Sequence, residues 1–96
     1  MAKGYWIVFY RKIVNADALA AYSKLAGPVI EAGGGKFLAR GMPARTYEAG
    51  LKERTVVIEF ESVEKATSTF ESENYQAAAK LLIGAAERDI RIIEGT

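Results

Sequence analysis

Apolar residues along this chain follow two periods, and the switches between them mark its elements. From Gly4 to Arg11 (GYWIVFYR) the run is nearly unbroken. Tyr5, Ile7 and Phe9 take one side of an extended strand, and Trp6, Val8 and Tyr10 take the other. A strand that is apolar on both sides is a central one, covered twice. The period then changes. Leu19, Tyr22, Ala26, Val29 and Ile30 recur at helical spacing and form one apolar stripe. Asn15 or Asp17 is placed to cap this helix. Gly27-Pro28 lies inside the pattern, and Pro28 removes a backbone donor, so a kink or break is expected there. Gly33-Gly34-Gly35 ends the helix as a C-cap and turn. A phosphate-binding glycine loop follows a strand and opens a helix, whereas this run precedes a strand.

Lys36 to Gly41 (KFLARG) reads as the second strand. Simple alternation puts Phe37 and Ala39 on one side, and Lys36, Leu38 and Arg40 on the other. Met42 to Glu53 is a long connection, either an exposed loop or a flap over a site. Arg54 to Ser62 (RTVVIEFES) is the third strand, with Val56, Ile58 and Phe60 on one side and Val57 and Glu59 on the other. Ser62 caps a helix with Val63, Ala66, Thr67 and Phe70 inward. Ser72 starts a second helical piece, SENYQAAAKLL, with Tyr75, Ala78, Ala79 and Leu82 inward. Asp89 to Glu94 (DIRIIE) is the last strand, with Ile90 and Ile92 on one side and Arg91 and Ile93 on the other.

The order β-α-β-β-α-β predicts an α+β, ferredoxin-like fold, in which helices cover one face of a four-stranded antiparallel sheet. With 96 residues the chain has the length of one domain, and residues 1–96 are read as a single ferredoxin-like domain. The uncovered sheet face collects Leu38, Val57, Ile93 and half of the first strand, mixed with Lys36, Arg40, Glu59 and Arg91. That is too much apolar surface for a small monomer. A two-fold homodimer, in which two sheets face each other, resolves it.

Glu59 is the anomaly in this pattern. A carboxylate between Ile58 and Phe60 on a covered face needs a cation or donors. Arg40 and Lys36, on the neighbouring strand, are its candidate partners. Three readings stand side by side: a structural ion pair that sets the register, a pocket pair with Glu59 as acid, base or anchor and Arg40 as clamp, or a Glu59 that reaches solvent. Tyr22 and Tyr75 sit on helical apolar stripes with hydroxyls that need partners. Trp6 and Tyr10 either pack the core or stack on a ligand. Asn74 either donates to a ligand or serves the start of a helix.

Composition narrows the chemistry. The chain has 13 Lys and Arg against 12 Asp and Glu, a formal net charge of +1, so nothing in the bulk field draws it to nucleic acid. It has no Cys and no His. Disulfides, thiol catalysis, thiolate metal sites and His-ligated haem drop out. No metal or other cofactor is called for. No apolar run is long enough to span a bilayer and no signal peptide is visible, so a cytoplasmic protein without membrane association is the expectation.

GYWIV near the start, GGKFLARG after the first helix, RTVVIEFES, SENYQAAAKLL and the final DIRIIEG together resemble the domain-of-unknown-function 1330 family over almost the whole chain. That resemblance implies the dimeric α+β barrel superfamily: ferredoxin-like protomers whose sheets pair around a cavity. The superfamily includes small monooxygenases, isomerases, dehalogenases and haem-handling proteins, and the family itself has no agreed activity. This chain departs from the family pattern with Glu61 after Phe60, Met42 after Gly41, and Leu82 where Arg is frequent. The functional expectation is a protein that binds or transforms a small acidic or aromatic molecule in a pocket between sheet and helices. The alternative is a non-catalytic dimerising module.

Overall fold

The computed structural model describes residues 2–96. Strand β1 (Gly4–Ile13) leads into helix α1 (Ala16–Ala32), strand β2 (Lys36–Gly41) and strand β3 (Thr55–Phe60). Helices α2 (Val63–Glu71) and α3 (Glu73–Ala79) follow, then a short 3₁₀ turn at Lys80–Leu82 and strand β4 (Ala86–Glu94). The strands form one antiparallel sheet in the order β2-β3-β1-β4. This is the expected ferredoxin-like arrangement. Among the described residues no helix is long and apolar enough to cross a membrane.

Local chemistry sets the helix boundaries. Asn15 Oδ1 accepts from the Ala18 amide at 3.0 Å and caps α1. At the other end the Gly35 amide reaches back to the Ile30 carbonyl at 2.9 Å, with Gly34 at φ 90°. A Cβ on Gly35 would lie 2.5 Å from Ile30 and 2.9 Å from the Phe60 ring, so the turn needs glycine for space as well as for conformation. Of the kink or break expected at Pro28, the break does not occur: α1 runs through it, and Pro28 lies on the exposed side of the helix. Tyr22, Ala26 and Ile30 continue as one buried stripe past it.

Ser72 separates α2 from α3 as expected. It is extended (φ −65°, ψ 151°). Its Oγ donates to the Thr69 carbonyl at 2.8 Å and accepts from the Tyr75 amide at 3.2 Å. The break turns Tyr75 into the core, where it meets Trp6 edge-on with ring centroids 5.0 Å apart. Phe60 and Phe70 lie 5.1 Å and 5.5 Å from the same indole. The indole N–H donates to the Ala66 carbonyl at 2.8 Å, tying α2 to β1.

Register decides the two faces of the sheet. Trp6 lies opposite Ile58 and Ile92, and Val8 opposite Val56 and Ile90, all on the helix side. Tyr5, Ile7 and Phe9 lie opposite Glu59, Val57 and Thr55 on the open side. The expected alternation of β2 fails at one point. Phe37 pairs with Ile58, Ala39 with Val57 and Arg40 with Val56, so Leu38 is an extra residue in a β-bulge. The bulge inverts the alternation beyond it. Ala39, expected on the helix side, joins Val57 on the open face. Arg40, expected beside Glu59, turns to the helix side.

Candidate functional site

Three strands deliver arginines to one end of the helix face. Arg88 of β4 lies opposite Tyr10 of β1. The Tyr10 amide donates to the Arg54 carbonyl at 2.9 Å, which sets Arg54 on the other side of Tyr10. Arg40 of β2 stacks over the Phe37 ring at 4.4 Å. Arg40, Arg54 and Arg88 border a cleft roofed by the Tyr22 and Ala26 stretch of α1 and floored by Trp6, Val8 and Ile58. No carboxylate lines it. It offers about 30 Å³ to water-sized groups, within about 400 Å³ of space that includes the open mouth. Among the described residues the ion pairs are Arg11–Glu87 at 3.5 Å and Arg91–Asp89 at 2.8 Å. None of the three cleft arginines has an acidic partner.

The cleft ends on a polar knot within the core. The hydroxyls of Tyr22 and Tyr75 are 2.6 Å apart. Arg88 Nη1 donates to Tyr22 Oη at 3.2 Å and to Tyr75 Oη at 3.1 Å. The guanidinium also lies over the Tyr22 ring at 5.1 Å and the Tyr10 ring at 5.8 Å. Burial pushes the Tyr22 phenol far above its ordinary range, Tyr75 adds to the rise, and Arg88 opposes it. Tyr10 is raised by burial against the pull of Arg88 and Arg54. Burial works against the Arg88 charge, but the oxygens of Tyr75 and Tyr22 outweigh it, and the guanidinium is held more firmly protonated than usual. The result is a fixed cation backed by neutral phenols, an arrangement suited to receiving negative charge.

The residues singled out from sequence divide between two places. Tyr10, Tyr22 and Arg40 line this cleft, Trp6 forms part of its floor, and Tyr75 stands behind Tyr22. Glu59 and Lys36 lie opposite each other on the open face, so Arg40 is no partner for Glu59. The bulge at Leu38 is the physical reason. Glu59 instead accepts from Tyr5 Oη at 3.2 Å across the strands. The Tyr5 phenol is pushed up, first by burial and then by Glu59. Asn74 is exposed on a shallow groove shared with Pro28, Lys65 and Ser72, away from the cleft. Leu82 is buried in the core.

Arg88 and Arg54 were absent from the sequence-derived candidates. The last strand starts at Ala86, three positions before the apolar alternation becomes visible, because β1 extends to Ile13 and pairs with Ala86. One signal was available: Arg88 stands two and four residues before Ile90 and Ile92, on the same side of an extended chain.

Comparisons with known proteins agree with this architecture. No curated protein matches the chain. Among solved structures it is similar to the RPA0582 protein of unknown function from Rhodopseudomonas palustris, at 24% identity and a TM-score of 0.69, over 97% of this chain and 80% of that one. It is also similar to a dimeric ferredoxin-like protein of unknown function from Thermobifida fusca, at 16% identity and a TM-score of 0.67, over 96% and 90% of the two chains. An ethyl tert-butyl ether d (EthD) family protein from Bacillus halodurans covers 100% of both chains at 12% identity and a TM-score of 0.66. At these identities the likeness is one of fold. The model of one family, Domain of unknown function (DUF1330), matches residues 3–96, and the chain belongs to that family.

Proposed function

We propose that this protein binds a small organic acid in the cleft between α1 and the sheet. One observation carries the reading: three guanidinium groups, Arg40, Arg54 and Arg88, border a partly apolar cleft that contains no carboxylate. Like charges gathered around one cleft repel each other, and an anion placed between the half-buried Arg54 and Arg88 and the exposed Arg40 relieves that repulsion. The apolar floor suits the body of the ligand and the arginines suit its charged head. In this reading residues 1–96 act as one unit. Tyr10, Tyr22, Arg40, Arg54 and Arg88 contact the ligand, with Trp6 beneath it.

Glu59 and Lys36 take a different part, in assembly. The open face carries half-buried Ile7 and Val57 beside exposed Phe9, Leu38 and Ile93. A second copy laid on this face, as the description of the Thermobifida fusca protein as dimeric suggests, would cover those groups and make a homodimer. The Glu59–Lys36 position then fixes register between protomers.

Thermal shift of the purified protein with benzoate, acetate and their amides tests the ligand reading. Carboxylates should raise Tm by mass action, the amides much less, and Arg88→Met should abolish the difference. A carboxylate response that is absent, or undiminished in Arg88→Met, would sink it. Sedimentation tests the assembly, and a stable monomer at micromolar concentration would overturn the homodimer.

A further inference from the structure

The hydrogen-bond count at the end of the cleft does not close, and the excess has a direction. Tyr22 and Tyr75 own one hydroxyl proton each. Their oxygens stand 2.6 Å apart, so one of those protons lies between them. Arg88 contributes only donors, through Nη1 at 3.2 Å and 3.1 Å. The knot therefore holds two acceptor oxygens, three donating groups, and one phenol proton with no acceptor supplied by the described residues.

Burial decides which proton that is. Tyr75 is 0% exposed, and the acceptor within reach of its hydroxyl is Tyr22 Oη. Tyr22 is 7% exposed and lines the cleft. Tyr75 thus donates to Tyr22, and the Tyr22 proton is left for the cleft. A buried donor without an acceptor costs free energy, so the position beside Tyr22 Oη calls for an oxygen.

We propose that Tyr22 is the specificity-determining donor of this cleft, that Tyr75 is the positioning residue behind it, and that the ligand is a monocarboxylate whose oxygens are received by Tyr22 and Arg88. This rests on the anion reading of the cleft and deepens it. The cleft offers about 30 Å³ for water-sized groups, enough for a small charged head with the rest of the ligand toward the open mouth. The buried lining of Trp6, Val8 and Ile58 offers no further polar partner, which favours a monocarboxylate over a more highly charged anion. In the free protein a water meets the Tyr22 donor, and the carboxylate displaces it.

Titrating the full chain with benzoate, benzamide and inorganic phosphate, followed by NMR and calorimetry, tests this. Wild type should prefer benzoate to both others. Tyr22→Phe keeps the ring and its packing, and should weaken benzoate by about tenfold or more while benzamide changes little, since a bond to a charged acceptor is the stronger one. A packing defect would weaken both probes alike, and that outcome counts against the proposal. Tyr75→Phe leaves the Tyr22 proton free and should cost benzoate no more than about threefold. If the larger loss falls on Tyr75→Phe, the donor direction is reversed and the proposal fails. Tighter binding of phosphate than of benzoate overturns the carboxylate class. Loss of benzoate binding in Arg88→Met with none in Tyr22→Phe overturns the role of Tyr22 and leaves the anion reading standing. No titration of cleft resonances by benzoate or phosphate removes both. Should Tyr22→Phe fold poorly, the wild-type Tyr22 Cζ resonance decides: benzoate should shift it, and an unmoved signal overturns the proposal.

Discussion

Along β1 the even residues Trp6, Val8 and Tyr10 face the helices and the odd residues Tyr5, Ile7 and Phe9 face away. One strand thus serves two surfaces with different physics. On the helix side every polar group sits in a built environment: the indole of Trp6 meets a carbonyl, and the phenols of Tyr22 and Tyr75 meet Arg88. On the open side polar groups find partners across or along strands, Tyr5 with Glu59 and Arg91 with Asp89, and apolar groups stay half covered. The first surface is finished within the chain, with the proposed anion as its one addition. The second lacks a protein surface. Helix cover makes the difference: it half-buries Arg54 and Arg88 at one end of the sheet and leaves the opposite face open.

Substitution of adjacent residues should divide the surfaces most strongly. Trp6→Ala should cost about 3–5 kcal/mol by denaturant unfolding, because it empties an aromatic cluster and removes the indole bond to the Ala66 carbonyl. Tyr5→Ala, one residue away on the open face, should cost far less. Comparable losses would mean that the open face carries as much of the fold as the core does. Next in size is assembly. Ile7→Asp puts a charge at the middle of the open face and should raise the dimer dissociation constant by about a hundredfold or more in sedimentation, with the cleft unaffected. An unchanged dimer would move the interface elsewhere.

A smaller effect sharpens the comparison on β2. Arg40→Ser should weaken benzoate binding by roughly threefold to tenfold, whereas Lys36→Ser, four residues earlier on the opposite face, should leave it unchanged. Equal effects would contradict the bulge at Leu38. The smallest concerns pH. The Asp89 carboxyl is held below its ordinary range, first by the hydrogen bonds from Arg91. A depressed folded-state pKa gives stability that is present above the unfolded carboxylate pKa and is lost as pH falls through the folded one. The difference in Tm between wild type and Asp89→Asn should therefore be slight at neutral pH and vanish in strong acid. A difference that grows on acidification has the wrong sign.

Local pattern was enough to give the order of strands and helices, the caps at Ser62 and Ser72, and Asn15 or Asp17 as the cap of α1, because each follows from contacts between near neighbours in the chain; it left the start of β4 three residues late. The site was only partly legible. Tyr10, Tyr22 and Arg40 carried a visible signal, a polar atom on an apolar stripe or strand. Arg54, just before β3, did not, and Arg88 carried only its spacing to Ile90 and Ile92, where alternation fades into charged residues. Asn74 had the composition of a ligand residue and the position of an exposed helix start.

Sequence alone determined what repeats locally: periods, caps, the glycine turn at Gly34-Gly35 and family membership. The tertiary structure decided which face each charge occupies. One extra residue, Leu38, reverses the alternation of β2 and parts Arg40 from Glu59. Nothing local in KFLARG encodes that, since a bulge is chosen by the pairing of two whole strands. The meeting of Tyr22, Tyr75 and Arg88 is likewise a product of packing, bringing together residues 53, 66 and 13 positions apart in the chain.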